Sequence, residues 1–164
     1  MSAKILKTYK VSLPAVRLIG KRYGANENFG AKWGEWFAKG LFSPIEKLGV
    51  ISEIGNTYLG MMRIINGELE YWIGILFPEN TEVPSGYDYA DIEPIDYAVC
   101  WIHGKDNSEI CGMEAHNLCL EEIKKQGFAR KEDDWCIESY TCPRYTTPDE
   151  QGNIILDYYI AIER

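Results

Sequence analysis

The chain has no CxxC pair, and its five cysteines (Cys100, Cys111, Cys119, Cys136 and Cys142) are odd in number. Such spacing supports neither a disulfide framework nor a zinc site, and only two histidines are present to complete one. Free thiols in a reduced, cytoplasmic protein are expected, with no metal and no cofactor. No basic, apolar leader opens the chain, and no apolar run approaches the roughly 20 residues of a membrane helix. Positive charge is scarce: 17 Lys and Arg face 25 Asp and Glu, for a net charge of -8. Phosphate recognition needs the opposite balance, so direct nucleic-acid binding is not expected. An acidic chain suits cationic ligands or basic partners. GxSxG, HExxH, P-loop and Rossmann signatures are also missing.

What the chain does have is a repeated phrase. Leu69-Glu70-Tyr71-Trp72-Ile73-Gly74-Ile75 returns as Leu156-Asp157-Tyr158-Tyr159-Ile160-Ala161-Ile162, with four of seven positions identical. A second echo runs from Leu13 to Gly24 and from Glu93 to Gly104, with Pro14 and Pro94 in register. Two similar half-repeats, about 4–78 and 88–164, are expected within one domain spanning 1–164. At 164 residues there is enough chain for a real core.

The pattern predicts the same element order twice. Residues 4–23 read as a strand interrupted at Pro14. Residues 29–41 read as a helix: Phe29, Trp33, Trp36, Phe37 and Gly40 recur on one face, with Asn26 and Asn28 as cap candidates. Strands over 57–65 and 69–77 flank Asn66-Gly67, a strong hairpin signal. A linker over 78–88 precedes a strand at 94–103 and a helix from Ser108 to about Gln126. Strands over 135–142 and 154–163 follow. The fold class is therefore α+β: duplicated β-α-β-β units with pseudo-two-fold symmetry and a largely antiparallel sheet. Helices are expected on one side and a ligand cleft on the other.

Strand alternation sorts the repeat into two faces. Leu69, Tyr71, Ile73 and Ile75, with Leu156, Tyr158, Ile160 and Ile162, should pack under the helices. The opposite face carries Glu70, Trp72 and Gly74 in one copy and Asp157, Tyr159 and Ala161 in the other. Carboxylate, large aromatic and small residue in succession resemble half a pocket; a solvated sheet face is the plain alternative. Glu138 stands mid-strand among aromatics, where a carboxylate must be solvated, paired or used. Arg63 or Arg144 is a candidate partner. A cationic ligand would also relieve the cost, helped by cation–π contacts worth roughly 0.5–2 kcal/mol each. His116 is expected packed and hydrogen-bonded on the inner side of its helix, and His103 near the surface at a strand end.

These residues resemble a known family, the GyrI-like small-molecule-binding domains. They serve as effector-binding domains of some AraC-type and MerR-type regulators and also stand alone. The resemblance rests on Tyr97 to Trp101 ending at His103-Gly104, on Ile137-Glu138-Ser139-Tyr140, and on the terminal Leu156 to Ile162. Two positions depart from the family pattern: Ile137 replaces an aromatic, and Ala161 stands where proline is usual. The resemblance implies a pocket with a central glutamate, Glu138, beside Tyr140. Strand parity adds Trp72, Trp101, Tyr159 and Asp157.

The function it implies is binding or sensing of bulky, cationic or aromatic small molecules, by a stand-alone member that can pair with a separate regulator protein. The alternative is a small-molecule hydrolase of strained electrophiles, with Glu138 as base and Tyr140 as proton donor. The third is a protein inhibitor of a gyrase-type topoisomerase, docking through acidic surface.

Overall fold

A computed structural model of the protein describes residues 3–164. Proline lacks the N–H a ladder needs, and the chain turns at Pro14 between β1 (Lys4–Leu13) and β2 (Val16–Gly24). Asn28 caps α1 (Phe29–Ala38) by accepting a hydrogen bond from the Ala31 amide. β3 (Leu59–Ile65) and β4 (Glu68–Pro78) join at Asn66-Gly67, where φ is 52° and 78°.

Three elements differ from the pattern. The linker ends in a short strand, β5 (Asp88–Ile92), ahead of β6 (Ile95–Gly104). The helix expected from Ser108 is two: α2 (Asn107–Ile110), capped by Asp106, and α3 (Met113–Lys125). Gly112, at φ +94°, breaks them apart. β7 is only Cys136–Ser139, and β8 (Ile154–Ile162) completes the set.

All eight strands form one antiparallel sheet in the order β1-β6-β8-β7-β3-β4-β2-β5. β3 and β7 meet at its centre, with Gly60 opposite Glu138. Each outer strand pairs with the other half of the chain: β1 with β6, and β5 with β2. The echo anchored on Pro14 and Pro94 does not survive in register. It aligns Leu18 with Ala98, yet these residues belong to clusters on opposite faces. The shorter repeat keeps its parity, since Tyr71 and Tyr158 both face the helices.

On the helix side the core is split. Trp36 of α1 is fully buried against Ile73, Ile75 and Phe77. Ala115, Cys119 and Ile123 of α3 pack on Ala98, Cys100 and Ile160. The other face holds a single cluster that includes Leu18, Met61, Trp72, Tyr97, Ile137 and Tyr159, drawn from inner and outer strands alike. Ile51, from the segment after α1, closes onto it, with Ile54 packed alongside. Among the described residues no helix is long and apolar enough to cross a membrane.

Candidate functional site

The two helix-side cores leave a gap over the central strands, and this gap is the site. It is a cavity of about 490 Å³, within the usual range for small-molecule pockets. Its walls come from α1 (Phe29, Trp33), from the α2–α3 corner (Cys111, Met113), and from the sheet (Tyr71, Tyr158). The lining is mostly apolar and aromatic, and Glu138 stands in it.

Glu138 is held by two phenols. Tyr71 donates to Oε1 at 2.9 Å and Tyr140 donates to the same oxygen at 3.1 Å. The Trp33 indole N–H donates to the Tyr71 oxygen at 2.9 Å, so donors run in series toward the carboxylate. Phe29 stacks on Tyr71 with ring centroids 4.1 Å apart, and Trp33 meets the Tyr140 ring edge-on at 4.9 Å. Tyr140 is also packed edge-on by Tyr145. The second carboxylate oxygen, Oε2, has no hydrogen-bond partner among the described residues and keeps open surface.

Burial raises the Glu138 carboxyl above its ordinary value, against the opposing pull of the two phenol donors. The phenols of Tyr71 and Tyr140 are pushed up as well, by burial first and then by the nearby carboxylate, so they remain donors. The same two causes push the Cys111 thiol up to about 12, which makes it a poor nucleophile at neutral pH. Neither arginine considered as a partner reaches Glu138. Arg63 pairs with Glu70 at 2.8 Å, and Arg144 pairs with Asp157. Among the described residues Glu138 makes no ion pair, and no cluster of three or more His, Cys, Asp or Glu is placed to hold a metal.

The expected cleft on the face away from the helices is therefore corrected: the cavity lies on the helix side. Glu138 and Tyr140 come together there as expected, but Trp72, Trp101, Tyr159 and Asp157 do not join them. Trp72 is buried and donates its N–H to Glu70, which also meets Arg63 and Arg22. Tyr159 is buried against Tyr97. Trp101 donates to Tyr9 and lies under the cations of Lys7 and Arg144. Asp157, 2% exposed, takes two bonds from Arg144 and one from Thr141. Gly74 is small because β2 runs close: a Cβ there would come within 2.3 Å of the Ile19 carbonyl. That face is a satisfied core rather than half a pocket.

Several lining residues escape strand parity. Tyr71 and Tyr158 were expected only to pack, yet a buried phenol also needs a hydrogen-bond partner. Tyr71 finds Glu138, and the Tyr158 hydroxyl lies 2.7 Å from His116 Nδ1. The signal was present in the repeat, since tyrosine is its one aromatic identical in both copies. Phe29 and Trp33 were visible as a helix stripe of which only Trp36 is deep core; Phe37 is 60% exposed.

The sequence matches no protein-family model and no curated protein. Solved structures do match. SAV2435, in a structure bound to tetraphenylphosphonium, superposes with a TM-score of 0.65 over 96% of this chain and 94% of its own, at 14% identity. The C-terminal domain of EcmrR gives 0.62 over 96% and 98%, at 10% identity. The fold is that of the GyrI-like effector-binding domains. Within a complex of EcmrR with DNA, the same GyrI-like likeness covers 57% of the EcmrR chain, again with a TM-score of 0.62.

Proposed function

We propose that this GyrI-like domain binds bulky, hydrophobic cations in the helix-side cavity, with Glu138 as their counter-charge. The observation that carries the reading is a carboxylate inside an aromatic cavity with no protein cation beside it. One of its oxygens is tied by Tyr71 and Tyr140; the other is open. A desolvated carboxylate is costly alone, and a cation that also covers the aromatic walls offsets that cost through charge, cation–π attraction and buried area. The tetraphenylphosphonium bound by SAV2435, of the same fold, is a ligand of this kind. Phe29, Trp33, Tyr71 and Tyr158 would supply apolar contact, and Tyr140 would orient the carboxylate. A separate regulator protein would then read the loaded state.

The test is calorimetric titration with lipophilic quaternary cations, with Trp33 fluorescence as a second signal. Binding by the wild type that weakens at least ten-fold in Glu138→Gln supports the reading. No binding by the wild type, or equal binding by the variant, defeats it.

One observation favours a second reading, hydrolysis of strained electrophiles. Glu138 is raised toward the useful range of a general base, and the Tyr140 phenol stands beside it in the same cavity. Glu138 would take a proton from water as its oxygen attacks the electrophilic carbon, and Tyr140 would give one to the leaving oxygen. Multiple turnovers lost in Glu138→Gln would favour this over stoichiometric binding.

A further inference from the structure

Glu138 is not the cavity's only unpartnered charge. Arg130 lines it too, and its Nε is sealed from solvent without a hydrogen-bond partner, the sole buried side-chain polar atom in that condition among the described residues. No described carboxylate lies within ion-pair distance of Arg130. Asp134, in the same wall, pairs with Lys131 at 3.3 Å; Asp133, also in the wall, makes no ion pair; Arg63 is taken by Glu70. The sealed Nε is packed against protein, so a cavity ligand would engage the guanidinium through its terminal nitrogens, which pair with no described carboxylate.

Arg130 and Glu138 are held apart by the sheet. Arg130 bridges to Ile162 at the end of β8, and its charge lies close to the Cys136 thiol. Cys136 and Glu138 are same-face neighbours on β7, which sets them roughly 7 Å apart. His116, hydrogen-bonded to Tyr158, stands near the Arg130 end. The apolar side chains of Met62 and Ile110 line the space as well.

We propose that the Arg130 end of the cavity is a second polar subsite, which takes a carboxylate or other anionic oxygen of the same ligand whose cationic group meets Glu138. The ligand class is thus an amphipathic zwitterion: a cation, an aromatic or alicyclic spacer of about one or two rings, and an anionic oxygen at the far end. A guanidinium presents a fixed fork of N–H donors that suits an oxyanion, and a water-poor cavity strengthens the pairing. The carboxylate and guanidinium of the protein would each meet an opposite charge on the ligand, in reverse order. This rests on the reading of Glu138 as the cation's partner.

The experiment compares two probes that differ at one end, N,N,N-trimethyl-2-naphthylammonium and its 6-carboxylate, by calorimetry on the full chain. The carboxylate should bind wild type at least ten-fold tighter than the parent cation. In Arg130→Met that advantage should vanish while the parent binds at least as well as before. Arg130→Lys, which keeps a charge but not the fork, should retain a part of the advantage, and thermal unfolding verifies that both variants fold. Equal or weaker binding of the carboxylate by wild type overturns the second subsite and leaves the Glu138 reading standing. Persistence of the advantage in both variants overturns the assignment to Arg130. Binding of the carboxylate that is equally tight in Glu138→Gln overturns the Glu138 reading, and with it the pairing of the two subsites. Failure of both probes overturns both.

Discussion

Gly60 lies directly opposite Glu138 across the seam between β3 and β7, and a Cβ at Gly60 would come within 2.5 Å of both Glu138 Oε1 and the Tyr71 hydroxyl. The glycine is what leaves room for the bond between them. In Gly60→Ala the obstructing atoms are side-chain ends that can move, but only by giving up that hydrogen bond. We expect roughly ten-fold weaker binding of a quaternary cation and a loss of about 1–3 kcal/mol of stability from overpacking. Titration and chemical unfolding of the one variant measure both.

The raised Glu138 carboxyl makes stability depend on pH in a definite direction. A group whose folded pKa lies above its unfolded value favours the folded state fully below the unfolded value. That contribution is lost as pH rises through the folded pKa. Wild type without ligand should therefore lose stability as pH climbs from the ordinary glutamate range through the raised value. Glu138→Gln should lack this component and be more stable near neutral pH; about 1 kcal/mol would appear as a rise in Tm of roughly 2–4 °C. Thermal unfolding of both proteins across pH 4–8 measures the difference.

Ligand binding should follow the same titration with the opposite sense. A permanent cation needs the ionised carboxylate, so its affinity should rise with pH through the Glu138 pKa and then level off. Tyr140→Phe removes one of the two donors that hold the pKa down. The midpoint of the affinity profile should move to higher pH, and Tyr71→Phe should act in the same direction. A variant that merely loosened the cavity would lower affinity at every pH without moving the midpoint.

The face remote from the helices gives a contrasting prediction. Arg144 meets the buried Asp157 through two nitrogens. Arg144→Met would strand that carboxylate, at a cost of about 3–5 kcal/mol. Cation affinity of the folded variant should stay within two-fold of wild type, because Asp157 lies outside the cavity. Urea unfolding alongside titration separates the two effects.

Strand parity made the sheet legible to a useful depth. It put Tyr71 and Tyr158 on the helix side with their isoleucine neighbours, and it placed Glu138 on a strand among aromatics. It could not say which face stays open. That depends on how α1 and α3 sit over the flanks of the sheet, and on how Ile51 and Ile54 close the other face; neither follows from a period of two. Gly74 illustrates the trap: it reads as the floor of a pocket, yet it permits close approach of Gly20 on β2. β5 was hidden for a simpler reason. Asp88-Tyr89-Ala90-Asp91-Ile92 is polar, and as an edge strand it buries only Ile92. Arg130 gave no signal of its own, because a lone arginine after a helix looks like ordinary surface until its Nε is found sealed.

The most direct test of the account isolates the charge. N,N,N-trimethyl-2-naphthylammonium and 2-tert-butylnaphthalene share a shape and differ by one positive charge. At pH 7.5 wild type should bind the cation at least ten-fold tighter than the neutral isostere, and Glu138→Gln should bring that ratio close to one. Equal affinities in wild type, or a ratio that survives in Glu138→Gln, would contradict a cavity organised around the Glu138 carboxylate.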